Sequence, residues 1–505
     1  MNKRVIAFLS ILSLSLSTLL IPANAAAKAG AKCTKAGITS VAAGKTFTCV
    51  KSGKKLAWKQ IQTSTASTSE NYAWKSPCDK DPWVPAEWKE YETFALKFFN
   101  CSRPMRFQDA KMPNETPKSS LVATSDLNQT SMCKIPEIYV RTAQGSSNNV
   151  GHRNSWKFSG DLDLQIIPVQ FTDFNTTNTP TTEYGKYFNY IKEMFYKTSD
   201  GNTRLNLRIP DKYLQINSTL ESFNTGGFLE KNNRFKWKKL DTPRLQSAIF
   251  SAADSVIDFS GVKLTIIVVP LKVPDNFIAH HPQFRMDNVS TKEGVVPANY
   301  IMPPANMNSS DDWYGVEPFL HLHEIFHATG MLSDHLGDWE SGGNFYGTGN
   351  WGHMSGMLTD HLTWDKWLTG MLSDQQVICA KNNGTGTYWI KPATYFGQME
   401  KLLVIPVSST RVIAVESQRA AGMNFKLTKE SQGALVYSVD VLDNRYDGGF
   451  EVIKPVSRST GPKDGPFIFW DAPLKLKEEV TVWGYRISVV ESGSFGDVIK
   501  VEKVG

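Results

Sequence analysis

The sequence has no long apolar run after its first 25 residues, so no later segment is expected to span a bilayer. An excess of one charge is also missing, because 55 Lys and Arg residues face 49 Asp and Glu residues, and the basic residues are dispersed along the chain. Nucleic-acid-binding proteins cluster their basic residues. We therefore expect neither a transmembrane segment in the mature chain nor a nucleic-acid partner.

The first 25 residues have the pattern of a secretory signal peptide. Lys3 and Arg4 precede an apolar run, and the segment ends in the small-x-small triplet Ala23-Asn24-Ala25. A membrane anchor is the alternative, but Ser residues and Pro22 interrupt the run, which falls short of about 20 apolar residues. We expect cleavage after Ala25, which lowers the formal net charge from +6 to about +4, and a secreted, extracellular protein.

The six cysteines of an exported chain indicate disulfides. Six cysteines allow about 15 complete connectivities, so the count alone does not fix the pairs. We expect Cys33 to pair with Cys49, and then Cys78 with Cys101. Cys133 and Cys379 would remain to bracket the central region.

Composition and periodicity divide the chain into six segments. They are a signal peptide (1–25), a small two-Cys β module (26–60), a Ser/Thr-rich linker (61–75), an N-terminal or propeptide-like region (76–150), a mixed α/β domain (151–376) and an all-β sandwich (377–505). In the fourth segment the periodicity is weak. The fold class is therefore α+β, with the small β module at its amino terminus.

The central domain is predicted from alternating strand and helix patterns. The stretches DLDLQIIPVQFTDF (161–174) and VKLTIIVVP (262–270) are apolar and β-branched, as in buried strands. Aromatic and aliphatic residues recur at helical spacing in residues 183–201 and 243–257. From Val377 onward, short alternating runs between turn signals predict the sandwich.

Histidine is rare in this chain but concentrated in one window. Six of the nine histidines lie between His321 and His361, and His323, Glu324 and His327 form the pattern HExxH. Residues four apart share a helix face, so both imidazoles can reach one metal ion while Glu324 addresses a water on it. Zinc favours imidazole ligands and activates water for attack on a carbonyl. We therefore predict one catalytic zinc ion on His323 and His327, with Glu324 as general base.

The flanking residues make this helix apolar on nearly every side, which is expected of a helix in a protein interior. Charged and imidazole side chains there would be costly without a partner, and a metal ion would be one. A buried polar network without metal is the alternative. His321, two positions before His323, faces nearly the opposite side, so we interpret it as structural or as support for a ligand.

The sequence offers several candidates for the third metal ligand. A pattern HExxHxxGxxH/D would put it three residues after Gly330, where the chain has Ser333, a poor zinc ligand. Asp334 and His335 follow at once. We expect Asp334 to be the third ligand. His335 and three later residues remain open as alternatives: Asp338, His353 and His361.

A Gly-rich stretch leads from the histidine helix to Trp351 and Met354, and a helix containing Trp364, Asp365, Lys366 and Trp367 follows. This order predicts a tight turn in which Met354 packs beneath the metal ligands. A buried Met is by itself more often plain core.

The chain from about Asp161 to Asp440 resembles the immune inhibitor A-type family of secreted bacterial metallopeptidases. The resemblance is carried, in order, by IIPVQFTDF, YIKEMFYKTSDGNTRLNL, HEIFHATGMLSD, GNWGHMSGM, LTWDKWLTGML, VIAVESQR and GALVYSVDV. It implies a zincin-like (metzincin-like) zinc endopeptidase domain at 151–376 followed by a β-rich domain. His323 and His327 would be ligands and Glu324 the catalytic residue. The family usually reads Gly-Leu-Pro-Asp where this chain reads Gly330 to Asp334 with one extra residue.

We therefore expect a secreted zinc metalloprotease that hydrolyses protein or peptide substrates through metal-activated water. One alternative is a protease-fold binding or cell-surface protein without turnover, and another is a zinc hydrolase acting on other substrates. Calcium is a second candidate cofactor, with TSDGN (198–202) or LDNRYDGG (442–449) supplying oxygen ligands, although both stretches suit turns equally well. The amino-terminal module could contact a cell surface. Glu416 and Arg419, in VIAVESQR, receive no catalytic role.

Overall fold

The computed structural model describes two units, residues 1–71 and 72–505. The residues described within them are 28, 31–34, 36, 39–42, 45–52, 55–60, 110–141, 147–148, 150–152, 157–225, 227–229, 235–237, 241–273, 285–286, 288–296, 299–302, 323, 325–327, 332, 335, 347–355, 359–381, 384–445, 449–455, 457–458 and 469–505. The predicted signal peptide, Cys78 and Cys101 lie outside them. Within the described part of the chain, no helix is both long and apolar enough to cross a membrane.

The first unit is a three-stranded antiparallel meander. Its strands are β1 (Thr39–Ala42), β2 (Lys45–Ser52) and β3 (Lys55–Gln60), with β2 in the middle. Cys33 and Cys49 form a disulfide, and Cys49 lies opposite Trp58 across the β2–β3 pair. The expected pairing of Cys33 with Cys49 is confirmed.

The second unit contains a mostly parallel sheet with helices on both faces. Strands β4–β15 are Val140–Arg141, Ser147–Asn148, Gly160–Phe171, Thr203–Arg208, Leu214–Ile216, Gly227–Leu229, Phe235–Trp237, Leu264–Val268, Arg285–Met286, Val289–Thr291, Gly294–Val296 and Asn299–Met302. The helices are α1 (Pro180–Thr198), α2 (Thr242–Ala253) and α3 (Thr363–Thr369). The sheet order is β12-β15-β11-β6-β7, with β8 also beside β6, and only the β12–β15 pair is antiparallel.

Strand β6 is the centre of this sheet and is buried on both faces. Leu162, Leu164 and Ile166 face a core that includes the apolar side of α1. Residues 167, 169 and 171 point the other way, into a core with α2. Helix α1 begins where the Thr179 side chain accepts a hydrogen bond from the Thr182 backbone, 3.1 Å away. The predicted strands and helices of this region are confirmed.

The carboxyl-terminal part is built of two sheets that share a core. Strands β16–β24 are Val377–Cys379, Gly386–Ile390, Leu402–Pro406, Arg411–Gln418, Gly433–Asp440, Phe450–Val452, Glu479–Val482, Tyr485–Gly493 and Gly496–Lys503. One sheet has the order β16-β18-β19-β20-β21 and the other β17-β24-β23-β22. Apolar residues of both sheets, such as Val415 and Ile487, lie in one buried cluster. The mixed α and β content expected from the sequence is confirmed.

The other face of the β16–β21 sheet packs on α3 and on part of the region 76–150. Ile135 and Val150 belong to the same buried core as Trp364 and Leu402. Trp364 donates a hydrogen bond from Nε1 to the Val150 carbonyl at 3.0 Å. Removing residues 135–150 would expose this core to water. This part of the propeptide-like region is therefore integral to the folded unit.

A disulfide fixes the same region. Cys133 and Cys379 are bonded, with their Cα atoms 5.7 Å apart and a sequence separation of 246 residues. Nearby, the Asn128 backbone donates to the Cys379 carbonyl at 3.2 Å. Closing so long a loop restricts the unfolded chain strongly.

The paired variant Cys133→Ser/Cys379→Ser should lose about 2–4 kcal/mol of unfolding free energy, since the unfolded chain gains loop entropy. Urea unfolding followed by tryptophan fluorescence measures this loss. The matched control Cys33→Ser/Cys49→Ser removes a disulfide of the other unit. This control should leave the unfolding transition of residues 72–505 unchanged. Equal losses of unfolding free energy in both paired variants would contradict a stabilising role of the Cys133–Cys379 bond in this unit.

Helix α3 has its first turn bound by a glutamate from the neighbouring sheet. Glu416, fully buried on β19, accepts a hydrogen bond from the Thr363 backbone at 2.6 Å and another from the Thr363 hydroxyl. Tyr437 donates from its hydroxyl to the same carboxylate at 3.1 Å. Burial raises the pKa of Glu416 to about 7, while the hydrogen bonds from Thr363 oppose that shift.

This raised pKa predicts a pH-dependent stability. Between pH 4.5, the ordinary pKa of Glu, and about pH 7, the unfolded chain releases this proton and the folded chain keeps it. Unfolding free energy therefore falls as pH rises through that window, by about 3 kcal/mol from this group. Glu416→Gln should remove this decline, as measured by urea unfolding at several pH values. Parallel profiles for wild type and variant would contradict the prediction.

Candidate metal centre

The helix that carries His323 and His327 is held in the interior by its apolar side. Ile325 and Phe326 are fully buried in the core that also contains β6 and α1. The Phe326 ring stacks on Phe195 of α1, with centroids 5.4 Å apart and planes 11° from parallel. This packing fixes the rotation of the helix and therefore the direction of the two histidines.

The two imidazoles converge on one point. The Nε2 atoms of His323 and His327 are 2.9 Å apart, and their rings are perpendicular. His323 is 5% exposed, while His327 is partly exposed, so the pair lies at the edge of the core. The predicted pairing of these histidines on one helix face is therefore present.

Backbone carbonyls hold the other nitrogen of each ring. The Nδ1 atom of His323 is 3.0 Å from the His353 carbonyl oxygen, and that of His327 is 2.6 Å from the Leu332 carbonyl oxygen. A carbonyl oxygen only accepts, so each Nδ1 must carry the proton. In a neutral ring with its proton on Nδ1, Nε2 carries the lone pair, and this is the atom that a metal ion binds.

The spacing and orientation of the two rings are compatible with two of the ligands of a zinc ion. Histidine ligands of metals commonly donate their second N–H to a backbone carbonyl, which sets the tautomer and the ring orientation. Two nitrogens bound to one tetrahedral zinc lie about 3.3 Å apart. The Nε2 atoms of His323 and His327 need to separate by only a few tenths of an ångström to reach that spacing. His323 and His327 are thus suited to hold zinc.

The Gly-rich loop lies directly beside these histidines. Gly347, Gly349 and Gly352 have φ angles of 53°, 59° and 91°, which explains why glycine recurs there. Met354 lies in the turn, is fully buried and packs in the same core as Ile325 and Phe326. The turn at Met354 agrees with the sequence prediction, and the preceding carbonyl, that of His353, orients His323.

The structure limits the choice of a third ligand. Glu324, Asp334, Asp338 and His321 lie outside the described residues. Among the residues that are described, no three His, Cys, Asp or Glu side chains form a group able to hold a metal ion. His335, His353 and His361 therefore do not complete a site with His323 and His327 in this arrangement. Asp334, the expected ligand, stays a prediction.

The three other described histidines of the window are all buried. His335 directs Nε2 at the Asp365 carboxylate, 3.1 Å from Oδ2. His353 directs Nδ1 at the Thr359 carbonyl, 3.3 Å away. His361 packs its ring on Phe326, with centroids 4.0 Å apart. Burial, reinforced by the charge on neighbouring His353, lowers the pKa of His361 well below its usual range.

Cationic side chains already bind the described carboxylates of the two stretches considered for calcium. In the TSDGN turn, Lys401 donates from Nζ to both oxygens of Asp200 at 2.7 and 2.6 Å, and the pair is buried. In the second stretch, Arg445 donates to Asp443 at 2.7 Å. A calcium ion bound to Asp200 or Asp443 would have to displace a lysine or an arginine. Asp200 and Asp443 therefore act as ion-pair partners in this fold.

Sequence reasoning missed the groups that orient His323, His327 and His335. Two of them are backbone carbonyls, of His353 and Leu332, which leave no signature in side-chain identity. The third is Asp365, which lies 30 positions from His335. Asp365 and Lys366 lie between Trp364 and Trp367 in the sequence. Charged residues in so apolar a stretch were the signal that could have indicated a buried partner for Asp365.

No known family model matches the chain, and no curated protein is similar to it.

Metal analysis tests the histidine pair. Wild type should contain about one zinc per chain, and His327→Ala should contain almost none, because one converging nitrogen is removed. The control His152→Phe replaces a histidine that packs on Trp364 and Trp367 and keeps an aromatic ring there. The His152→Phe variant should retain zinc. Equal zinc content in wild type and both variants would exclude a zinc site at His323 and His327.

Proposed function

We propose that the protein is a secreted zinc-dependent endopeptidase. The observation that supports this most strongly is the convergence of the His323 and His327 Nε2 atoms, 2.9 Å apart, with both Nδ1 atoms held by backbone carbonyls. Ring orientation by a carbonyl is the usual support for a metal-binding histidine. The HExxH pattern adds the acid/base residue that peptide hydrolysis requires.

In this proposal each residue has one task. His323 and His327 hold the ion with Nε2, and Asp334 is the proposed third ligand. A bound zinc ion would supply Lewis acidity, polarising the scissile carbonyl and lowering the pKa of water towards about 7. Glu324 takes the proton of the attacking water and delivers it to the leaving amine. The His353 and Leu332 carbonyls keep each imidazole in the required tautomer.

The proposed fold identity is a zincin-like domain of the immune inhibitor A type. Its support is the resemblance of the chain together with the position of the histidine helix, which shares one core with α1 and β6. The two sheets β16–β24 come next in the chain, and in this proposal they correspond to the β-rich domain that follows the catalytic domain of such enzymes. The pattern of residues 1–25 and the two disulfides are compatible with export. Substrates would be proteins or peptides.

A second candidate function is a binding or cell-surface protein that keeps the protease fold without turnover. It is favoured by the extra residue between Gly330 and Asp334, which shifts the position of the third ligand. The amino-terminal β module could then supply the surface contact. A zinc hydrolase acting on other substrates would use the same residues, because a metal site does not by itself select the bond that is cleaved.

Glu324→Gln separates these functions. For an endopeptidase, the variant should keep about one zinc per chain but hydrolyse an unfolded protein substrate at least about 100-fold more slowly, because proton transfer is lost. Zinc content and cleavage are measured on the same preparations, with and without chelator. Wild type that binds zinc but cleaves no protein substrate would favour the binding protein. Unchanged cleavage in the variant would exclude Glu324 as the base.

A further inference from the structure

A buried His–Asp pair, His335 with Asp365, has no task in the proposed mechanism. His335 and Asp365 are each 1% exposed in their side chains. The Nε2 atom of His335 donates to both carboxylate oxygens, at 3.1 Å and 3.3 Å. A carboxylate without such a partner would be costly at this depth, so the pair holds the two segments together.

The backbone of His335 is fixed as firmly as its side chain. Its N–H donates to the Met354 carbonyl at 2.8 Å, and its own carbonyl accepts from the Thr348 N–H at 2.9 Å. The ring also packs on Phe450 of β21, with centroids 4.1 Å apart. His335 therefore joins four elements at one point: its own segment, the Gly-rich loop, α3 and the β16–β21 sheet.

This point lies next to the groups that define the metal site. Leu332, whose carbonyl holds Nδ1 of His327, is three residues before His335. Met354, which binds the His335 backbone, directly follows the residue whose carbonyl holds His323. Asp334, the proposed third ligand, is the residue immediately before His335. A shift of His335 would therefore move the two carbonyls that hold the rings of His323 and His327.

We propose that His335 and Asp365 are positioning residues, which hold Leu332 and the Gly-rich loop so that the Leu332 and His353 carbonyls stay aligned with His327 and His323. The inference rests on the proposed zinc site and adds the buried pair as its support. His335 itself is not a ligand in this proposal, because it forms no metal-binding group with the other described residues.

The test is zinc affinity by chelator competition, with a control for stability. Asp365→Ala and His335→Ala should weaken zinc binding about 10-fold to 100-fold, as loss of groups that orient ligands commonly does. His335→Gln keeps an N–H that can reach Asp365 and should recover most of the affinity. Asp200→Ala breaks another buried pair, with Lys401, and should lower the melting temperature without changing zinc affinity.

The spectrum of cobalt-substituted protein distinguishes positioning from ligation. If the pair only positions ligands, saturated His335→Ala should have the wild-type spectrum, because the donor set is unchanged. An altered spectrum would make His335 a ligand and overturn the proposal. Wild-type affinity in Asp365→Ala, with zinc bound by the wild type, would overturn this inference alone. A wild type that binds no zinc would overturn both the inference and the proposed function.

Discussion

The convergence of two imidazoles inside an apolar helix is the constraint on which the surrounding structure depends. The two Nε2 atoms lie 2.9 Å apart, and each ring is held at its other nitrogen. Two different loops provide the carbonyls that do this, one through His353 and one through Leu332. The close packing of Ile325 and Phe326 fixes the helix between them. The packing of the helix and the two carbonyls together therefore determine where the two Nε2 atoms meet.

Helix α3 joins this region to the carboxyl-terminal sheets. Although it is only seven residues long, all of its residues are buried, and its charged groups are paired in different directions. Asp365 binds His335, Lys366 binds Asp360, and the first turn donates to Glu416 of β19. Such a set of buried polar contacts is stabilising only if each member is satisfied. Helix α3 therefore links the position of the β16–β21 sheet to that of the segment around His335.

The sequence predicted those features that depend on local pattern. The strand at 161–174 and the helix at 183–201 were recognisable because burial requires apolar residues at regular spacing. The HExxH pattern was recognisable because its two histidines lie one helical turn apart. The pairing of His335 with Asp365 joins residues far apart in sequence, and no periodicity records it. The position of a proposed third ligand was ambiguous because one extra residue alters the spacing that the pattern specifies.

The boundary at residue 376 separates two regions of different pattern, yet the core crosses it. Trp351 and Trp364, which precede the boundary, are buried with Leu402 and Tyr437, which follow it. Phe450 of β21 also packs on His335. Because close-packed interiors transmit displacement, the carboxyl-terminal sheets contribute to the geometry of the histidine pair although they carry none of its proposed ligands. A metal site at His323 and His327 would therefore depend on residues on both sides of this boundary.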